Sequence, residues 1–283
     1  MDVKKPFVVG AGIMGSGVGQ LCAQQGYEVT VVDISDELVD KAKNKIIAGL
    51  KRRIEKGKIT QEDMDSVLSR MNWSTDLNLA RDCDFVVEAI YEDIEAKKEI
   101  FSKLNSICSS EAILATNTTA LSVSEIASAT SRPDKVIGMH FFNPAVIMKL
   151  VEIIRGEETS EETIAITKKF AEDLGKIPIA TAKEAPAGIV SRVLAGLLNE
   201  AAVVYADGVA SPEDIDEAMK LGAGLPMGPL ALIDMIGLDI HLAKMETLYE
   251  KLQDERYKPP EIIKKMVAEG KLGKKAGEGF YKY

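Results

Sequence analysis

Cysteine is scarce in this sequence: three residues in 283, Cys22, Cys83 and Cys108, widely spaced and without a CxxC pair. An odd, scattered set of thiols excludes a disulfide framework and a thiolate zinc site, and no other metal site is expected; reduced cysteines suit a reducing compartment. Basic residues are also in deficit, 35 Lys and Arg against 44 Asp and Glu, for a net charge of −9. Nucleic acid and anionic membranes are held by basic surfaces, so neither is expected as a partner. A small local cluster of cations for a phosphorylated ligand remains open. No apolar run reaches the roughly 18 residues of a membrane span. The opening MDVKKPFVVG enters a strand-like segment without a secretory core, so a cytoplasmic protein is expected. Internal repeats and low-complexity segments are absent, and histidine occurs only at 140 and 241.

What is present, 46% hydrophobic and 28% charged residues, reads as globular, and the length admits two compact domains. Segments 7–10, 27–32, 85–89, 112–115 and 136–140 are apolar and strand-like. Amphipathic stretches at 13–25, 36–56, 94–108 and 123–129 separate them. This alternation predicts an α/β domain with a mostly parallel sheet and helices on both faces. The stretch 36–70 is long for one crossover and reads as two antiparallel helices broken at Gly57, projecting from the domain. After Glu184 the period becomes helical throughout, at 189–205, 212–220, 229–252 and 259–269. Pro212, Pro229 and Pro260 stand where helices begin. The expectation is a dinucleotide-binding domain over 1–184 and an all-helical domain over 185–283.

The run Gly10-Ala11-Gly12-Ile13-Met14-Gly15 lies between the first strand and the first helix. Gly10 permits the tight turn, Gly12 lets the backbone approach a pyrophosphate, and Gly15 lets helix and strand pack closely. The helix N-terminus then offers free N–H groups to the phosphates. Asp33 closes the second strand 23 residues after Gly10, where a carboxylate accepts from ribose hydroxyls. The first domain is therefore expected to be a Rossmann-type doubly wound sheet. Asp33 would repel a 2′-phosphate, and Ile34, Ser35 and Asp36 supply no arginine, which favours NAD over NADP.

His241 lies in an apolar-periodic helix and reads as a packed or surface residue. His140 follows Val136-Ile137-Gly138-Met139, at the C-terminal end of a candidate parallel strand, where open α/β sheets place their ligand crevice. Twelve residues on, Glu152 stands alone in the apolar run Leu150-Val151-Glu152-Ile153-Ile154. A carboxylate in such a run is costly unless paired. Were the two segments neighbours, Glu152 could hold one imidazole nitrogen and leave the other as general acid or base.

His140-Phe141-Phe142-Asn143-Pro144 with Met148-Lys149-Leu150-Val151-Glu152 resembles the catalytic segment of the L-3-hydroxyacyl-CoA dehydrogenase family, closest to its bacterial short-chain 3-hydroxybutyryl-CoA members. The likeness extends through Val86-Val87-Glu88-Ala89-Ile90, Glu92, Lys97 and Asn117-Thr118. It continues in Met219 to Gly224, Pro226-Met227-Gly228-Pro229, and the stretch from Gly273-Lys274-Lys275 to Gly279-Phe280-Tyr281. The resemblance implies that His140 takes the 3-hydroxyl proton while hydride moves to the nicotinamide, and that Glu152 stabilises the imidazolium. It implies that Ala89, Glu92, Lys97, Asn117 and Asn143 line the cofactor crevice beside Gly10, Gly12, Ile13, Met14, Gly15 and Asp33, and that the chain is a homodimer.

Two positions depart from the family pattern. Thr119 replaces the usual serine, keeping a hydroxyl for the substrate oxygen. Ser191, in Pro186-Ala187-Gly188-Ile189-Val190-Ser191-Arg192, replaces an asparagine and would reach the substrate carbonyl through water. The CoA tail needs cations, and Lys51, Arg52, Arg53, Lys56 and Lys58 form the densest basic cluster; Lys51, Arg52 and Lys56 are taken as its contacts. One rival is a dehydrogenase of free 3-hydroxy acids using a lysine of its helical domain, but 188–200 contains none. The other is a non-catalytic, crystallin-like relative that binds NAD(H) without turnover.

Overall fold

The computed structural model describes residues 2–185 and 187–283. The chain divides into two compact units, Met1–Ala185 and Pro186–Tyr283. The first runs β1 (Pro6–Val9), α1 (Ile13–Gln24), β2 (Val29–Val32), α2 (Asp36–Glu55), α3 (Gln61–Ser69), β3 (Met71–Ser74), β4 (Phe85–Glu88), α4 (Ile94–Ile107), β5 (Ile113–Thr116), α5 (Val123–Ala127), β6 (Val136–Phe141), β7 (Leu150–Arg155), α6 (Glu161–Asp173) and β8 (Ile177–Ala180).

The strands form one sheet in the order β3-β2-β1-β4-β5-β6-β7-β8. Every neighbouring pair is parallel except β6 and β7, which run antiparallel. This is the doubly wound α/β architecture. Side chains of a strand alternate between faces, and the cores follow that rule. Val8, Phe85, Val87, Ile113, Ala115, Ile137, Met139, Val151 and Ile153 pack with α1, α2, α3 and α6. Phe7, Val9, Val86, Leu114, Val136 and Ile154 pack with α4 and α5 on the other side.

The two edge strands, β3 and β8, are the ones the pattern does not announce. Each is four residues long, and β8 reads Ile-Pro-Ile-Ala. Its Pro178 lacks a ladder donor and is tolerated because the strand lies at the edge. The hairpin over 36–70 is α2 and α3. Ser35 caps the first, and Thr60 with Asp63 forms a capping box on the second. Val39, Ala42, Ile46 and Leu50 are buried at helical spacing, and the last three, with Met64 and Val67, join the core. That apolar stripe lays the hairpin onto the unit instead of letting it project.

The second unit contains α7 (Val190–Ala206), α8 (Pro212–Ala223), α9 (Pro229–Ile236), α10 (Leu238–Leu252) and α11 (Glu261–Ala268). Its described residues hold no strand beyond isolated bridges of Glu278 with Gly273 and Lys282. The single helix expected over 229–252 is two. Gly237 adopts φ +105°, which an L side chain rarely does, and the helix cannot continue through it. Asp216 accepts from the N–H groups of Leu230 and Ala231 at the start of α9, and Asp234 accepts from those of Phe280 and Tyr281. These two buried carboxylates tie α8, α9 and the C-terminal residues together. No helix among the described residues is long and apolar enough to cross a membrane. All three cysteines are free and buried, with Cys83 and Cys108 sulfurs 3.9 Å apart.

Candidate active site

Strand parity gathers the polar groups. Glu88, Thr116, His140 and Glu152 alternate with residues of the larger core, so their side chains fall on the α4/α5 face of the sheet. All four are at most 6% exposed. Glu88 and Thr116 close β4 and β5, His140 is the next-to-last residue of β6, and antiparallel β7 brings Glu152 to the same end.

Pairing of β6 with β7 sets His140 directly opposite Glu152, a position from which side chains meet. His140 Nδ1 lies 3.1 Å from Glu152 Oε2, and Nε2 lies 3.4 Å from Thr119 Oγ1. The Phe142 ring tilts against the imidazole with centroids 4.6 Å apart. The ring is therefore held at one nitrogen by a buried carboxylate and has a hydroxyl beside the other. Such an arrangement is chemically able to serve as an oriented acid/base through Nε2.

Thr119 is placed by Glu92. One oxygen of that carboxylate accepts from the Thr118 hydroxyl at 2.6 Å and from the N–H groups of Thr119 and Ala120 at 2.8 and 3.0 Å. Lys97, expected beside the cofactor, is fully buried. Its ammonium donates to Glu88 at 2.6 Å and stands 3.7 Å from Glu92. Glu88 also accepts from the Thr116 hydroxyl and the Ile90 N–H. Glu88 has no assigned role in the sequence pattern, although it stands in Phe-Val-Val-Glu as Glu152 does in its own apolar run, and the same cost argument applies. Asn117 accepts from the Phe141 N–H at 2.8 Å, joining the ends of β5 and β6.

Beside the β1–α1 turn lies a crevice of about 530 Å³, lined among others by Gly10, Gly12, Asp33, Ala89 and Tyr91. Gly10 has φ +99°, and a Cβ there would stand 2.6 Å from the Ala89 carbonyl oxygen. A Cβ on Gly15 would strike the Gly10 carbonyl, whereas one on Gly12 would meet no protein atom. The space before Gly12 is thus cavity rather than packing. Asp33 accepts from the Ala11 and Ile34 N–H groups at 2.6 and 2.7 Å, bracing the turn from the second strand. Helix α1 has no capping side chain and no acidic residue in its first turn, while α2 to α6 are capped by Ser35, Thr60, Asp93, Ser122 and Ser160. Its positive end is left to an anion. A glycine turn, a free helix end and a carboxylate at the second strand fit a dinucleotide. Ile13 is exposed toward a different cavity, and Met14 packs against the core.

That second cavity, about 710 Å³, is lined by Lys45, Arg52, Arg53, Lys56 and Lys58 on one side and by 143–147 on the other. Positions 45, 49, 52 and 53 share one face of α2 at helical spacing, and Lys56 follows as its C-cap. Lys51 falls off that face, is exposed and is absent from the lining. Lys45 does not stand out in the sequence because it lies more than one turn before the dense run that begins at Lys51. Asn143 belongs to this cavity rather than to the crevice.

Ser191 sits in the first turn of α7 and is 9% exposed; Pro186 of its motif lies outside the described residues. His241 is fully buried in α10, and neither ring nitrogen has a hydrogen-bond partner among the described residues. Burial, followed by the charge of Lys244, pushes its pKa down to about 4.

Comparison with known proteins agrees over the whole chain. A family model described as the 3-hydroxyacyl-CoA dehydrogenase NAD binding domain matches residues 6–185, and one described as the C-terminal domain matches 189–283. A probable 3-hydroxybutyryl-CoA dehydrogenase of Deinococcus radiodurans is 47% identical over 276 residues, 98% of this chain and 99% of its own length. The 3-hydroxybutyryl-CoA dehydrogenase of Clostridioides difficile is 45% identical over 276 residues, 98% of each chain. The crystal structure of (S)-3-hydroxybutyryl-CoA dehydrogenase from Ralstonia eutropha has a TM-score of 0.97 at 45% identity, covering 100% of this chain and 99% of that one.

Proposed function

The chain belongs to the 3-hydroxyacyl-CoA dehydrogenase family, an NAD-dependent family of oxidoreductases, and from that premise we propose that it interconverts 3-hydroxybutyryl-CoA and acetoacetyl-CoA. The observation that carries the reading is the direct opposition of His140 and Glu152, with the second imidazole nitrogen turned to Thr119. The nicotinamide supplies the hydride acceptor for the C3–H of the alcohol. His140 Nε2 takes the hydroxyl proton as the carbonyl forms and returns it in the reverse direction. Glu152, kept at Nδ1, fixes the ring and stabilises the imidazolium. The Thr119 hydroxyl hydrogen-bonds the reacting oxygen, at a position set by the three donors that Glu92 accepts. Holding C3 in line converts an encounter into an oriented transfer.

In this reading Arg52, Lys56 and their neighbours on α2 bind the phosphates of the CoA tail, and the cavity they line is of the right chemistry for it. A homodimer is part of the proposal. The groove of about 560 Å³ between α7 and α8, lined by Leu197, Ala201, Val204, Val209 and Ile215, offers apolar surface that a second copy would cover. A monomeric mass by sedimentation at micromolar protein would remove that part. The reaction is tested by following NADH oxidation with acetoacetyl-CoA for the native chain and His140→Ala. Loss of a general acid should lower turnover at least ~100-fold, and an equally active variant would end the proposal.

A further inference from the structure

Lys176 precedes β8 and is 7% exposed. Its ammonium donates to two backbone carbonyls, Ala145 at 2.6 Å and Met148 at 2.8 Å, and no carboxylate of a described residue pairs with it. A buried cation with only neutral acceptors is costly to keep, and burial alone draws its pKa down. Nothing in the acid/base chemistry uses it.

What it holds is specific. The turn over 143–148 joins β6, which carries His140, to β7, which carries Glu152. It has no ladder bonds; the Ile147 and Met148 N–H groups both donate to the Pro144 carbonyl, at 2.9 and 3.0 Å. Residues 143–147 of this turn are the wall of the basic cavity that faces α2. Parallel pairing explains the reach. Leu150 lies opposite Ile177, whose N–H donates to the Lys149 carbonyl at 2.8 Å, so Lys176 stands level with the turn's exit. One ammonium therefore holds the wall at its middle, Ala145, and just past its end, Met148.

We propose that Lys176 is a positioning residue for recognition of the nucleotide portion of CoA, acting through the 143–148 turn. The proposal rests on reading the basic cavity as the CoA-tail site. It is tested with two thioesters, acetoacetyl-CoA and S-acetoacetyl-N-acetylcysteamine, which lacks the nucleotide. Lys176→Met should lower kcat/KM for acetoacetyl-CoA by at least about 10-fold, through KM, and leave the truncated thioester within about 2-fold, since a misplaced wall costs only the substrate that touches it. Equal losses on both thioesters, or no loss on either, overturn the role. If the native enzyme and Arg52→Ala already treat the two thioesters alike, the cavity reading has failed, and the brace fails with it for that separate reason. Should Lys176→Met not fold, Lys176→Gln read by hydrogen exchange decides the matter: the Ile147 and Met148 amides must lose protection, and unchanged protection there rejects the brace.

Discussion

The Glu88 carboxylate receives the Lys97 ammonium at 2.6 Å, and neither side chain has any surface in contact with solvent. Removing one partner leaves the other charged and buried. Lys97→Met or Glu88→Gln alone should each cost about 3–5 kcal/mol. The double variant should cost clearly less than their sum, because no fully buried charge is left unpaired. Urea denaturation of the three variants measures this, and strictly additive losses would show that the two groups do not act as a pair.

Glu152→Gln keeps the shape of the side chain that faces His140 and removes its charge. Without a carboxylate at Nδ1 the imidazolium is less stable and its tautomer is no longer imposed. Turnover should fall about 100-fold or more, with the KM for NADH unchanged. Steady-state kinetics in the acetoacetyl-CoA direction checks it; a variant within a few-fold of native would mean that the opposed carboxylate is structural only.

The basic cavity separates neighbours in sequence. Arg52→Ala and Lys56→Ala should raise the KM for acetoacetyl-CoA and flatten its dependence on ionic strength, since each removes a cation from the wall. Lys51→Ala, which lies outside the lining, should leave both within experimental error. A Lys51 variant as impaired as Arg52→Ala would relocate the phosphates.

His241 makes the second unit acid-sensitive. Its pKa is about 4 in the fold against an ordinary 6.5, so between those values the unfolded chain binds a proton that the native chain refuses. The stability it contributes is complete above pH 6.5 and is lost as pH falls toward 4, by about 3 kcal/mol in all. His241→Leu should lose less stability than native between pH 7 and 4.5 by denaturant titration. Parallel losses in the two proteins would contradict the shift.

Much of the site could be named from residues alone, for a physical reason that also marks its limits. A charged group inside an apolar strand is conspicuous, which is why Glu152 stood out. Glu88 was as conspicuous, but its partner Lys97 lies on a helix, and no spacing states that a lysine nine residues away turns inward. Lys51 and Lys45 show the converse. Density along the chain favoured the first, whereas only the phase of α2 reveals that the second shares the cavity face.

The sequence by itself determined the doubly wound first unit, the helical second unit, the family and the nucleotide, because hydrophobic period, glycine placement and a carboxylate after the second strand are local properties of the chain. The tertiary structure alone decided the edge strands, the break at Gly237, the opposition of His140 to Glu152 and the clamp of Lys176 on its turn. Each of these depends on which strand lies beside which and in what register, and register is a property of the assembled sheet rather than of any one segment.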